Sequence, residues 1–259
     1  MNARFHGWLG SSALLAALIA LWWLASNAGW VSRVFLPTPQ ATLASLAEGL
    51  NFGGSGSGEL LAFTGATVLR MIEGWLLASL FGVLLGAAIG VSPAVRAWVQ
   101  PTLEFIRPLP ASAIIPVAIL FLGLSNQMSI AVICFGAIWP VLLGSVHGFG
   151  SVQGRLQEVA AALELTRADF LRKIALPSAV PDILSGLRIS LAVSLILAVV
   201  TEMQASLPGI GRDIVLAQRN FRSADLYGGL ILLGLIGLSA NHALLAIERH
   251  ALRWRSPVS

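Results

Sequence analysis

The sequence predicts an all-α, polytopic membrane protein with about six transmembrane helices, and its composition is the first indication. Only 11% of the 259 residues are charged, 56% are hydrophobic, and the mean hydropathy is +0.83. A soluble domain carries about 25% charged residues, so this chain has too little charge to cover a surface exposed to water. The net charge is only +4, and the basic residues are scattered along the chain. This distribution favours contact with membrane lipid and argues against a nucleic-acid surface.

The spacing of the charges predicts the individual spans, because a transmembrane helix needs about 20 mostly apolar residues. One uncharged stretch is long enough for two helices and contains the turn signal Gly123-Leu124-Ser125-Asn126-Gln127. Another apolar stretch contains Arg188 and Glu202 but is otherwise strongly hydrophobic. The predicted spans lie within residues 5–32, 74–95, 111–123, 128–147, 183–205 and 226–247.

The basic residues predict that both termini lie in the cytoplasm. Loops on the cytoplasmic side carry an excess of arginine and lysine. With the N-terminus inside, ten basic residues fall on the inner side, whereas Arg33, Arg212, Arg219 and Arg222 fall outside.

The first apolar stretch has a second interpretation, a cleaved signal peptide, because Arg4 precedes it and Ala25-Ser26 offers small residues for cleavage. The stretch is longer than the core of a signal peptide, about 7 to 15 residues, which favours a retained span. Residues 1–66 are therefore interpreted as the first transmembrane helix plus an external segment, and residues 67–247 as a five-helix core. A cytoplasmic tail, residues 248–259, would follow.

The cytoplasmic loop at residues 148–182 is predicted to dock on another protein. Residues 155–165 are predicted to form a helix whose small apolar side chains fit closely into a groove. Thr166 and Asp169 have the spacing of a capping box for a second helix, and Leu176-Pro177 is expected to end that helix.

This loop carries a resemblance to a known family. Glu158-Val159-Ala160-Ala161, followed by Ile174-Ala175-Leu176-Pro177, resembles the E-A-A-x3-G-x9-I-x-L-P motif of bacterial ATP-binding-cassette (ABC) importer permeases. The resemblance to the nitrate, sulfonate and taurine branch extends over residues 67–90, 105–124, 176–191 and 201–211.

The resemblance implies the type I ABC importer permease fold and a multi-pass location in the bacterial inner membrane. It implies a permease that moves a small solute, such as a sulfonate, taurine or nitrate, delivered by a periplasmic solute-binding protein. The implied partners are two cytoplasmic ABC ATPase subunits and a second permease copy in a homodimer, with ATP and Mg bound by the ATPase. The implied ATPase-coupling residues are Glu158, Val159, Ala160, Ala161, Glu164, Ile174, Leu176 and Pro177.

Two positions depart from the motif. Val159 replaces an alanine, and Glu164 stands where the motif has glycine. Glycine suits the left-handed residue that ends a helix, and another residue there costs about 1 kcal/mol. Either the first helix continues past Glu164 or the turn is strained.

No residue pattern indicates catalysis, a metal site or a cofactor. The only lysine, Lys173, follows an arginine, whereas a phosphate-binding P-loop needs a glycine before its lysine. Cys134 is the single cysteine, and no histidines or carboxylates have metal-ligand spacing. The chain is therefore expected not to be an enzyme, and ATP hydrolysis is expected in a partner.

Charged residues inside spans are candidates for lining or gating a pathway. Here these are Glu202, with its neighbour Met203, and Arg188. Structural roles are the alternative: Arg188 could extend to the membrane interface, and Glu202 could hold the following loop. An ion-coupled secondary transporter is the alternative function, with Glu202 as its candidate ion site, and a membrane enzyme lacks any catalytic pattern.

The glycines at four-residue spacing, Gly82, Gly86 and Gly90, predict a helix face that another helix approaches closely.

Overall fold

The computed structural model describes residues 2–50, 59–152, 156, 158, 160 and 162–253, without the side chains of residues 2–9, 11 and 167. These residues form helices and turns, and no strand occurs among them. The helices are α1 (Asn2–Asn27), α2 (Pro39–Leu50), α3 (Glu59–Val91), α4 (Pro93–Ile106), α5 (Ala111–Leu122), α6 (Asn126–Gly150), α7 (Arg167–Phe170), α8 (Leu176–Ala205), α9 (Ile210–Arg219) and α10 (Ser223–Ala251). A π-helical turn, Leu171–Ala175, joins α7 to α8.

Among the described residues, four helical segments are long and apolar enough to cross a membrane. They are α3, α6, the continuous segment Ala168–Ala205 and α10. The pair α4 and α5, bent by 92°, would make a fifth span, and α1 contains the shorter apolar stretch Ser12–Asn27. Because α5 has 12 residues, it is about 18 Å long, which is less than the roughly 30 Å hydrocarbon core. The predicted span at 111–123 is therefore one arm of a bent pair.

The chain divides into two compact units. The first contains Met1–Gly65 and Pro208–Gly234, and the second contains Ala66–Leu207 and Leu235–Ser259. Residues 208–234 thus group with the N-terminal residues.

Side-chain hydrogen bonds to backbone carbonyls organise the first unit. The indole Nε1 of Trp22 donates to the carbonyl of Pro37 over 3.0 Å, and the hydroxyl of Tyr227 donates to the carbonyl of Phe35 over 3.2 Å. The rings of Trp22 and Tyr227 stack with centroids 6.2 Å apart. The hydroxyl of Ser45 on α2 donates to the carboxylate of Asp225 on α10. These contacts hold the segment after α1 between α1 and the start of α10.

In the second unit, the glycine face of α3 packs against α6, which confirms the prediction from its spacing. An added Cβ at Gly82 would lie 2.9 Å from the Cβ of Val141, and one at Gly90 would lie 2.6 Å from the Cβ of Phe149. Real Cβ atoms essentially never approach other atoms this closely, so only glycine permits the observed helix separation.

The helix α6 is also in close contact with α8. An added Cβ at Gly186 would lie 2.6 Å from the carbonyl oxygen of Pro140. The hydroxyl of Ser190 donates to the carbonyl of Ala137 over 2.7 Å. Buried Ile133 and Leu197 belong to the same apolar cluster as Met71 of α3.

The prediction that Leu176-Pro177 ends a helix is wrong. The backbone N–H of Leu176 donates to the carbonyl of Leu171, and α8 begins directly at Leu176. Proline lacks an N–H, and its ring clashes with the preceding turn of an α-helix. The wider π-helical turn accommodates Pro177 near the start of α8, so the chain remains helical from α7 to Ala205.

Candidate functional site

The described part of the motif loop lies within residues 156–177, which we name the coupling segment. Residues 156, 158, 160 and 162 are helical, whereas Val159 and Ala161 lie outside the described residues. Ala160 is buried, and Leu156 and Leu163 are exposed, with Leu163 exposing 65% of its surface. Exposed leucines on a short helix are apolar area available for contact with another molecule.

The backbone at Glu164 resolves the two alternatives left by the sequence. Glu164 has φ = 48°, in the left-handed region. The N–H of Leu165 donates to the carbonyl of Ala160 over 3.0 Å, which is the six-to-one bond of a Schellman motif. The helix therefore ends at Glu164 in the conformation for which the family motif has glycine, and the turn is strained.

Thr166 begins the next helix, as its spacing from Asp169 predicts. The N–H of Asp169 donates to Thr166 Oγ1 over 3.2 Å, and that hydroxyl donates to the Asp169 carboxylate over 2.7 Å. Lys173 Nζ lies 2.8 Å from the other carboxylate oxygen. The first helix therefore ends and the second begins within three residues, Glu164 to Thr166.

The second half of the motif anchors the segment to the core of the second unit. Ala175 is buried in a cluster with Phe149 of α6 and with Ala179 and Ile183 of α8, and Ile174 packs against this cluster. Leu176 is exposed. Ile174 therefore has a packing role, while Leu176 contributes to the surface.

The structure places Glu202 in a buried polar network. Its side chain is 0% exposed, and its Oε1 lies 2.7 Å from Nη1 of Arg70, which is also buried. The hydroxyl of Thr67 donates to Glu202 Oε2 over 3.0 Å, and Nε of Arg70 donates to Oδ1 of Asn126 over 2.8 Å. The carboxylate is therefore neutralised by a cation within the same chain.

The remaining two pathway candidates lie in different surroundings. Arg188 forms an ion pair with Glu248 of α10, and Met203 is exposed. Glu202 and Arg188 are therefore paired with different charged residues, Arg70 and Glu248. The role of all three in a pathway stays a prediction.

Sequence reasoning missed Arg70 and Asn126 as partners in this network. Arg70 lies 132 residues before Glu202, so no local spacing connects them. A usable signal was nevertheless present, because a buried carboxylate needs a cation and Arg70 is the basic residue nearest the start of the second predicted span. Asn126 was assigned to a turn, but it is the first residue of α6.

Comparison with known proteins assigns the chain to a family. Residues 78–255 match the family described as binding-protein-dependent transport system inner membrane component. A protein named as an aliphatic sulfonates transport permease, SsuC of Bacillus subtilis strain 168, is 31% identical over 97% of this chain and 89% of its own length. The taurine transport system permease protein TauC of Escherichia coli K12 is 30% identical over 96% of this chain and 90% of its own length.

A solved structure shares the fold. A chain of the MetNI methionine ABC transporter, in an inward-facing conformation, superposes with a TM-score of 0.65 at 18% identity, covering 74% of this chain and 96% of that chain.

The nitrate import permease protein NrtB of Leptolyngbya laminosa is a further relative, 31% identical over 73% of this chain and 68% of its own length. The chain belongs to the binding-protein-dependent transport system inner membrane component family and is a membrane-spanning permease subunit of an ABC importer.

Proposed function

We propose that this permease carries a small anionic solute, such as a sulfonate, taurine or nitrate, across the bacterial inner membrane. The observation that most supports transport coupled to an ATPase is the coupling segment. It presents exposed leucines and is anchored by Ala175 to a buried cluster. Contacts made by that surface can be transmitted to α6 and α8, because the cluster contains residues of both helices.

The partners we propose are two cytoplasmic ATPase subunits, a second copy of this chain and a periplasmic solute-binding protein. ATP and Mg bind to the ATPase, which supplies the energy, and this chain binds no cofactor and hydrolyses no ATP. ATPase closure displaces the coupling segment and thereby reorients the core helices between inward-facing and outward-facing states. Both termini lie in the cytoplasm, on the side of the ATPase.

The proposed solute class rests on what the relatives share. They are named for aliphatic sulfonates, taurine and nitrate, and each of these solutes contains a compact oxyanion group. One relative is named for bicarbonate, which is also an oxyanion.

Reconstitution tests the proposal. Proteoliposomes containing the permease, the ATPase and the solute-binding protein should accumulate radiolabelled taurine, ethanesulfonate or nitrate with ATP, and omission of the ATPase should abolish uptake. Uptake without the ATPase that follows an imposed ion gradient would contradict the proposal and favour an ion-coupled secondary transporter.

Thiol labelling tests the proposed orientation separately. In a Cys134→Ala background, cysteine at the exposed position Ser32 should react with an impermeant thiol reagent in intact spheroplasts. Cysteine at the exposed position Glu164 should react only after the membrane is opened. Labelling of the Glu164 position in intact spheroplasts would place the coupling segment outside, where no cytoplasmic ATPase could reach it.

A further inference from the structure

The second unit contains a cavity of about 490 Å³ that is lined by α4 and by the C-terminal half of α6. On the α4 side, Arg96, Gln100 and Leu103 line it, together with Arg107 at the end of the helix. Their separations of four, three and four residues place them on one helix face. These α4 residues and the α6 residues form the two main walls of the cavity, which is open where Gln100 and Arg107 are exposed.

The lining carries an excess of positive charge. Arg96 and Arg107 both contribute guanidinium groups, which stay protonated in proteins, whereas Glu104 is the one carboxylate among the lining residues. Gln100 Nε2 donates to Glu104 Oε1 over 2.7 Å, so part of that carboxylate's hydrogen-bonding capacity is already used. The balance of charge favours an anion.

Two hydrogen-bond donors in the lining have no acceptor within the part of the chain that the structure describes. They are Nε of Arg96 and the indole Nε1 of Trp139, and both atoms are buried. The indole packs edge to face on Phe135, with ring centroids 5.9 Å apart. Most buried donors in proteins have partners, so these two atoms indicate that an acceptor binds here.

A glycine makes room for one of the guanidinium groups. An added Cβ at Gly150 would lie 2.9 Å from Nη2 of Arg96. The guanidinium of Arg96 therefore lies directly against Gly150, and a side chain at position 150 would displace it. Apolar side chains, Leu142, Leu143 and Val146, line the α6 wall between Trp139 and His147. The cavity thus combines polar donors with an aliphatic wall.

We propose that this cavity is a binding site for the transported solute, which it recognises as an oxyanion group carrying a short aliphatic chain. Arg96 and Arg107 bind the oxyanion through charge-assisted hydrogen bonds, and the aliphatic chain contacts Leu142 and Val146. The negative charge of the Glu104 carboxylate repels a bound anion and weakens its binding. The inference rests on the proposed function and extends it, because it assigns solute selectivity to named residues of this chain.

Equilibrium binding tests the site with butane-1-sulfonate as the probe. The full permease–ATPase complex is placed in phosphatidylcholine nanodiscs without ATP, and binding is measured by isothermal titration calorimetry. We expect Arg96→Gln and Arg107→Gln each to weaken binding at least about tenfold, since each removes a charged donor. Glu104→Gln should tighten binding. Arg33→Gln, which removes an exposed arginine outside the cavity, is the matched control and should bind as the unmodified protein does.

The Glu104→Gln variant keeps the test decisive if an arginine variant fails to assemble. Unchanged affinity in Glu104→Gln, or equal affinity in the arginine variants and the Arg33→Gln control, would overturn the proposal. An anionic phospholipid shares the oxyanion chemistry and is distinguished by a second arm. If butane-1-sulfonate does not bind, and phosphatidylglycerol from mixed nanodiscs is retained in an Arg107-dependent way, the cavity is a lipid site.

Transport measurements separate failure of this inference from failure of the proposed function. ATP-dependent uptake of butane-1-sulfonate with an unchanged KM in Arg96→Gln and Arg107→Gln would reject the cavity as a solute site and leave the importer function standing. Uptake that proceeds without the ATPase would reject the importer function itself. A raised KM in both arginine variants, with ATPase dependence retained, is the result that we expect.

Discussion

Nη1 of Arg70 on α3 lies 2.7 Å from Oε1 of Glu202 on α8, and both side chains are buried. Arg70 also donates to Asn126, the first residue of α6, so one guanidinium connects three helices. A second hydroxyl contact, 2.6 Å between Ser129 Oγ and Thr201 Oγ1, joins α6 and α8 one turn away. Polar contacts therefore connect α3, α6 and α8 around Glu202.

Glu202→Gln is expected to destabilise the permease by roughly 3–5 kcal/mol, because it leaves the buried Arg70 charge without its counter-ion. Denaturant unfolding of the purified protein in detergent measures the change. The double variant Arg70→Met with Glu202→Leu removes both charges and should recover most of the loss. A single variant as stable as the unmodified protein would show that the ion pair contributes no net stability.

Gly86→Ala is expected to destabilise the second unit by about 1–3 kcal/mol, the usual cost of overpacking. The new Cβ would clash with the Cβ of Ser145 and with the backbone carbonyl of Leu142 on α6. Gly65→Ala in the same helix is the control, since no atom lies within 4 Å of its added Cβ. Equal thermal stability of the two variants would contradict close packing of α3 on α6.

Glu164→Gly is expected to stabilise the coupling segment by about 1 kcal/mol, because glycine adopts the left-handed conformation without the strain of a Cβ. Hydrogen exchange of the Leu165 amide, which donates to Ala160, reports this local stability. Glu164→Ala keeps the Cβ and should exchange as the unmodified protein does. Faster exchange in the glycine variant would mean that the helix does not end in this turn.

Leu163→Asp is expected to weaken ATPase binding without unfolding the permease, since the leucine is 65% exposed and a carboxylate in an apolar contact is costly. Co-purification of the ATPase with tagged permease measures the loss. Phe221→Asp changes an exposed apolar residue of the first unit and should leave co-purification unaltered. Normal ATPase yield with Leu163→Asp would exclude this leucine from the docking surface.

Asp213, on α9 outside the predicted spans, should make stability depend on pH. Burial raises the pKa of its carboxyl above 3.8, the nearby carboxylates of Asp225 and Glu59 add to the rise, and the Arg222 guanidinium opposes it. A raised folded-state pKa gives a contribution that is fully present below the unfolded-state pKa and is lost as pH rises through the folded-state pKa.

Melting at pH 4 and pH 7 therefore distinguishes Asp213→Asn from the unmodified protein. Because asparagine does not titrate, the variant should lose less stability than the unmodified protein between these two values. Glu48→Gln, which removes one exposed carboxylate from the first unit, controls for the change in net charge. An identical pH dependence in Asp213→Asn and the unmodified protein would refute the role of burial.

Local patterns predicted much of the fold. Charge-free stretches located the helices, the spacing of Gly82, Gly86 and Gly90 predicted the close face of α3, and the motif located the coupling segment. The pattern Thr166 with Asp169 predicted a helix start that two hydrogen bonds now account for. Each of these features depends on residues that are neighbours in the sequence or on one helix face.

The features that were missed depend on distant residues or on backbone adjustments. The Arg70 and Glu202 pair requires three packed helices to be in place before its partners meet. Continuation of the helix through Pro177 required a π-helical turn, whereas the usual rule for proline predicts an end. The cavity lies between α4 and α6, and no sequence spacing connects its lining residues on the two helices.

The unbroken helical segment from Ala168 to Ala205 contains 38 residues and is therefore about 57 Å long at 1.5 Å per residue. Asp169 and Lys173 lie near its first end, and Glu202 lies near its last. If the segment moved as a rigid body, a tilt of about 5° about its first end would displace its last end by roughly 5 Å at this length. A small rotation at the coupling segment would thus become a displacement as large as a small solute at Glu202.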